Sequence, residues 1–192
     1  MDLSGYEFRT QPWFDAAQFT GFGDAIPMKT LVIHCFDPRA TQIPHAVAKH
    51  LPDEVYPGED ILDPDGNKIG HTRTLFTLTN GGGRTSDALL AVATLDFIFP
   101  LKNVVVVHHS FCGTSAFTAE QLTQWCKDHY GTDLTTLYEP EDLAVIHFDE
   151  SIKHDVELLR KSPLVPKHIN IYGLFYEINT GELTEIVRDV PA

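Results

Sequence analysis

Apolar residues occur in short unbroken runs and in spaced series, and the two patterns alternate along the chain. Lys29 to His34 (KTLVIH) is a nearly continuous apolar run of strand length, the pattern of a strand buried on both faces. Asp37-Pro38, an N-cap and first-turn pair, predicts a helix to about Leu51. Residues 52–73 are rich in turn formers, and Asp65-Gly66 predicts a hairpin or an excursion. Thr74 to Thr79 reads as a second strand, closed by the glycines after Asn80. Thr85 or Ser86 then caps a helix to about Phe99, with Leu89, Val92, Ala93 and Phe97 at helical spacing. Asn103 to His108 (NVVVVH) is the plainest buried strand. Thr118 to Tyr130 reads as helix, Leu143 to Phe148 as a further short strand, and Glu150 to Lys161 as helix. Asn179-Thr180-Gly181, between His168–Glu177 and Leu183–Val187, predicts a closing hairpin.

Strands alternating with helices predict an α/β fold: a mostly parallel central sheet with flanking helices and an antiparallel C-terminal edge. At 192 residues the chain can build one substantial core and is short for two. Residues 1–28, rich in Gly, Phe and Pro, read as an arm lying on the domain or on a neighbouring subunit. Residues 29–192 read as a single domain.

The net charge of −13 repels phosphate backbones and anionic lipid, so neither nucleic acid nor a membrane surface is expected as a partner. No apolar stretch reaches the length of a membrane span, and the first residues lack the basic and apolar regions of a signal peptide, so the cytoplasm is the expected location. An odd number of cysteines, three, makes no disulfide framework. In a reducing compartment they are better read as metal ligands or nucleophiles.

In open α/β sheets ligands gather at the carboxyl ends of the strands. Two chemically loaded segments fall there: Cys35-Phe36-Asp37-Pro38-Arg39 and His109-Ser110-Phe111-Cys112-Gly113. Two thiolates and an imidazole suit Zn²⁺, and three protein ligands leave a fourth position open for chemistry. Each residue also has a plainer reading. Cys35 could be a core thiol, Asp37 only a helix cap, and Arg39 a surface residue. Gly81 to Gly83 could form an ordinary turn; no Gly-Lys-Ser/Thr follows to make a phosphate loop. Adjacent His108 and His109 point to opposite faces of a strand, so one of them at most reaches a metal. A nucleophilic role for Cys35 or Cys112 lacks an Arg at anion-cradling spacing, and a purely structural zinc site lacks a fourth ligand and paired Cys-x-x-Cys knuckles.

Cys-x-Asp-x-Arg at Cys35–Arg39 and His-x-x-Cys-Gly at His109–Gly113 resemble the two signatures of the beta-class carbonic anhydrases. Asn80-Gly81-Gly82-Gly83 resembles that family's Asn-Ala-Gly-Gly segment, and SIKHDVELLRKSPLVP with the hairpin after it resembles the family's closing helix and hairpin. The resemblance runs from about Lys29 to Val187. It implies one Zn²⁺ per chain on Cys35, His109 and Cys112, with His108 left to packing, hydrogen bonding or proton transfer. It implies a zinc-bound hydroxide attacking carbon dioxide to give bicarbonate, with Asp37 orienting the hydroxide and Arg39 holding Asp37. Family relatives hydrolyse carbonyl sulfide or carbon disulfide at the same kind of site, which makes carbonyl sulfide the alternative substrate. Phe111 stands where the family commonly has Asp, Pro38 where it has a small residue, and Thr79 where it has Arg; residues from about 62 to 72 are extra. With Phe111, Gly82 and Gly83 at the pocket, a drier site suited to the sulfur compounds is expected. The resemblance also implies a homodimer or homotetramer, with the arm's Trp13, Phe14, Phe19 and Phe22 against a partner.

Overall fold

The apolar runs become the middle of a sheet and the spaced series become its cover. The computed structural model describes residues 3–22 and 26–191. Five strands form the main sheet: β1 (Thr30–Cys35), β4 (Leu75–Asn80), β5 (Asn103–His109), β6 (Asn170–Tyr176) and β7 (Leu183–Asp189). Their order is β4-β1-β5-β6-β7. The first four run parallel and β7 pairs antiparallel with β6, as the sequence pattern predicts. β2 (Asp60–Leu62) and β3 (Lys68–His71) form a separate hairpin in the extra segment, with Asp63 capping the turn at Asp65-Gly66.

Among the described residues five α-helices complete the fold: α1 (Ile43–His50), α2 (Leu89–Ile98), α3 (Ala119–Tyr130), α4 (Pro140–Leu143) and α5 (Phe148–Lys161). Alternation along the strands sorts the core onto two faces. Leu31, Ile33, Val104, Val106 and Ile171 pack with Val92 of α2 and with Val156 and Leu159 of α5. Val32, Val105, Val107 and Leu174 pack with Ile43 and Val47 of α1 on the other face. α3 starts on a capping box, Thr118 with Gln121, and stops at Gly131 in the left-handed conformation. Among the described residues no helix is long and apolar enough to cross a membrane.

Three local expectations need correction. Leu143 to Phe148 is not a strand: Pro140 opens the one-turn α4, and β5 is already paired on both sides by β1 and β6. In the remaining extended stretch Val145 N–H donates to the Thr114 carbonyl at 3.0 Å, and the His147 carbonyl accepts from Ser151 N–H at 2.9 Å where α5 begins. Neither Thr85 nor Ser86 caps α2, which starts at Leu89, because the Thr85 hydroxyl bonds Asp155 instead. Asp37-Pro38 opens a single 3₁₀ turn, Pro38–Ala40, ahead of α1. Phe97, one of the apolar positions at helical spacing, is 66% exposed, and α2 keeps Leu90 at the surface as well. The arm lays Phe19 and Phe22 against Phe97 and Phe99, with ring centroids near 6.1 Å, while Tyr6, Phe8 and Trp13 stay exposed.

Candidate metal centre

β1 and β5 are neighbours, so their carboxyl ends bring residues 35 and 109 together although 74 positions separate them in sequence. The chain after β5 turns back through Phe111 (φ 57°) and delivers Cys112 to the same spot. The Cys35 and Cys112 sulfurs and a His109 ring nitrogen lie within 4.8 Å of one another, and all three residues are buried. They could hold a metal ion; Asp37 is not among the clustered ligand atoms.

The geometry fits zinc. Two sulfurs each ~2.3 Å from one ion at a tetrahedral angle stand ~3.8 Å apart, and Cys35 Sγ and Cys112 Sγ are 3.8 Å apart. His109 Nδ1 bonds the Ser110 carbonyl at 2.9 Å, which places the proton on Nδ1 and the lone pair on Nε2. That Nε2 is buried and faces the Cys35 thiol with no partner at regular hydrogen-bond geometry, the placement of a lone pair free to serve a ligand. Hydrogen bonding between the sulfurs pushes the Cys35 thiol up and pulls Cys112 down, so metal-free they share one proton. A dication binding there would displace it and hold both as thiolates.

Backbone and hydroxyl donors surround the sulfurs. Asp37 N–H approaches Cys35 Sγ at 3.4 Å, Gly82 N–H also bonds Cys35, and Thr114 Oγ1 lies 3.1 Å from Cys112 Sγ. Gly82 (φ 77°) and Gly83 (φ 72°) permit this approach. A Cβ on Gly82 would stand 2.7 Å from Thr114 Oγ1, and one on Gly83 would stand 3.0 Å from both His34 Cα and the Val107 carbonyl oxygen. Both glycines are buried.

Asp37 and Arg39 form a bidentate pair beside the cluster. Arg39 Nε reaches Asp37 Oδ1 at 3.0 Å and Nη2 reaches Oδ2 at 2.6 Å, with Arg39 N–H on Oδ1 at 2.9 Å. These bonds hold the Asp37 carboxyl well below the usual carboxylate range. Arg39 Nη2 also bonds the Phe111 carbonyl at 3.0 Å, clamping the two motifs together. The phenyl rings of Phe36 and Phe111 are 68% and 67% exposed.

His108 is buried and points the other way, its Nε2 2.8 Å from Asp155 on α5. Residue reading alone missed Thr114, the Ser110 carbonyl and Asp155. The first two contact candidate ligands directly, and a hydroxyl two positions after a Cys is the signal available for Thr114. Asp155 had none, since its partners lie 47 and 70 residues away.

No family model matches the chain. A carbon disulfide hydrolase from Acidithiobacillus thiooxidans is 28% identical over 148 residues, covering 68% of this chain and 71% of that protein. Beta-carbonic anhydrase 1 of Mycobacterium tuberculosis is 24% identical over 102 residues, covering 53% of this chain and 60% of its own length. A crystal structure of carbonic anhydrase from Streptococcus mutans superposes with a TM-score of 0.60 at 24% identity, covering 88% of this chain and 86% of that one, which speaks to the fold. Relatives from both enzyme groups thus match the chain that brings Cys35, His109 and Cys112 together on this sheet: it is similar to the beta-class carbonic anhydrases and to the carbon disulfide hydrolases, and it shares the fold of a solved carbonic anhydrase.

Proposed function

We propose that the chain is a zinc enzyme, one ion per chain on Cys35, His109 and Cys112, and that it catalyses the reversible hydration of carbon dioxide to bicarbonate. The observation that carries the reading is a three-ligand set of tetrahedral spacing with an ionised Asp–Arg pair beside it. Three protein ligands leave room for a reacting molecule, unlike a closed structural site. When bound, zinc supplies a Lewis acid that brings the pKa of a water molecule toward ~7.

The chain's own residues do the rest. Asp37, held ionised by Arg39, can only accept a hydrogen bond. It therefore takes the O–H of the attacking water or hydroxide and leaves a lone pair facing the substrate carbon. Arg39, tied to the Phe111 carbonyl, keeps Asp37 from swinging toward the metal. Donors to the two sulfurs from Gly82, Asp37 and Thr114 disperse thiolate charge and preserve the ion's acidity.

Carbonyl sulfide hydrolysis by the same residues is the second reading. It is favoured by Phe36 and Phe111 as an apolar rim and by the carbon disulfide hydrolase among the relatives. The exposed Leu90, Phe97, Phe8 and Trp13 support assembly as a homodimer or homotetramer, and three unpaired cysteines suit a reducing compartment such as the cytoplasm. Residues 1–28 are then the arm of a single catalytic domain, 29–192.

Zinc content and initial rates on carbon dioxide and carbonyl sulfide, for wild type and Cys35→Ala, test this. Stoichiometric zinc and fast hydration, both lost in Cys35→Ala, are expected. Stoichiometric zinc with slow hydration and fast sulfide release would move the assignment to the hydrolase. Folded wild type that takes up no zinc would end both readings.

A further inference from the structure

The loop that carries Gly82 and the strand that carries His109 meet at one buried carboxylate. Asp155 of α5 is wholly buried. Its Oδ1 accepts from the Thr85 hydroxyl at 2.8 Å and from Thr85 N–H at 3.2 Å. Its Oδ2 accepts from His108 Nε2 at 2.8 Å and lies 3.3 Å from Arg84 Nε. Arg84 in turn donates Nη2 to the Glu141 carbonyl at 2.6 Å, and its backbone N–H and carbonyl bond the Asn80 side chain at 2.8 and 2.7 Å.

Helix docking alone does not call for this arrangement. Val156 and Leu159 already fix α5 to the sheet through an apolar cluster, with Ile152 packed over Gly173 of β6. Burying a carboxylate in that interface works against docking unless every partner is in place. The partners recruited are telling. Thr85 is three residues from Gly82, whose N–H reaches Cys35 Sγ, and Gly83 between them is wedged against β1 and β5. His108 is the residue before His109, so anchoring its ring fixes the rotation of β5 at the point where His109 leaves toward the thiols.

We propose that Asp155 is a positioning residue of the metal centre: by holding Thr85 and His108 at once, it sets both the Gly82 donor over Cys35 and the aim of His109. It touches neither substrate nor metal ligand and acts through the loop and the strand. The proposal rests on the metal-centre reading above.

Zinc-loaded wild type, Asp155→Asn, Thr85→Val, Thr85→Ser and Leu159→Ala would be compared by zinc release to a chromogenic chelator, by the sulfur-to-metal charge-transfer bands of the Co²⁺-substituted proteins, and by thermal melting. Groups that orient metal ligands from behind are worth about 10- to 100-fold in metal affinity. Asp155→Asn and Thr85→Val are therefore expected to release zinc at least about tenfold faster and to shift the bands. Thr85→Ser, which keeps the hydroxyl, is expected to behave as wild type. Leu159→Ala is expected to melt lower with release rate and bands unchanged. Release and spectra of Asp155→Asn and Thr85→Val indistinguishable from wild type would overturn the proposal, as would Leu159→Ala shifting them equally. Should Asp155→Asn fail to fold, the Thr85→Val and Thr85→Ser pair decides. Wild type that holds no zinc at all would instead remove the metal-centre reading, a result told apart by the first measurement.

Discussion

Strand β5 ends between two buried polar clusters, one on each side, and they differ in how they are completed. Toward α5, the Asp155 carboxylate is met by Thr85, His108 and Arg84, all from the chain itself. On the other side Cys35, Cys112 and His109 converge, donors from Asp37 and Thr114 reach the sulfurs from outside, and the buried His109 Nε2 has no partner at regular hydrogen-bond geometry. The first cluster has loose ends too, since Arg84 Nη1 and His108 Nδ1 lack a hydrogen-bond partner among the described residues and Arg84 Nε has only the ion pair at 3.3 Å, but these are scattered around a paired charge. In the second, three ligand atoms lie within 4.8 Å. Burial and polarity are alike; what separates a structural network from a ligand set is whether the chain supplies the centre.

His109→Ala breaks the contrast most sharply. Removing one of three ligands should abolish stoichiometric zinc, measured by elemental analysis. A metal worth several kcal/mol of transition-state stabilisation then costs on the order of a thousandfold in kcat/KM. Next comes Asp155→Asn in the metal-free protein, which leaves Arg84 uncompensated in the interior. Chemical denaturation at pH 7 should show a loss of about 3 kcal/mol. Burial by itself would raise Asp155, yet His108, Arg84 and Thr85 outweigh it and hold the carboxyl below its ordinary value. The folded value is thus the lower one, so this stability is fully present above the unfolded pKa of ~3.9 and is lost as pH falls below it. The gap between wild type and Asp155→Asn should stay flat from pH ~7 to ~5 and close under more acid conditions; a gap that widened there would reverse the sign assigned to Asp155. The smallest effect belongs to Asp37→Asn, which should keep its zinc and lose about 10- to 100-fold in rate. Loss of zinc with Asp37→Asn would make Asp37 a ligand instead.

Both ligand strands were legible because each is a Val- or Ile-rich run ending in a residue that does not belong in a core, Cys35 or His109. The parallel order and the antiparallel edge followed from the spacing of those runs. The false strand at Leu143–Phe148 arose because an apolar run carries no record of whether a sheet edge is free. The late start of α2 has a related cause: Thr85 has the side chain of a cap, and tertiary structure spends its hydroxyl on Asp155. Sequence pattern shows what a residue can bond, and only the fold shows what reaches it.

The bond from Arg39 to position 111 goes to a carbonyl oxygen, so it ignores the side chain that position carries. At φ 57° that backbone is open to Gly, Asn, Asp and His, holds Phe here, and is unfavourable to Val, Ile and Thr. Asp, the residue common in the family at this place, belongs to the permitted set. Position 111 therefore behaves as an interchangeable part on a fixed mount: evolution can swap a charged rim for an aromatic one while the Asp37–Arg39 machinery underneath keeps its alignment.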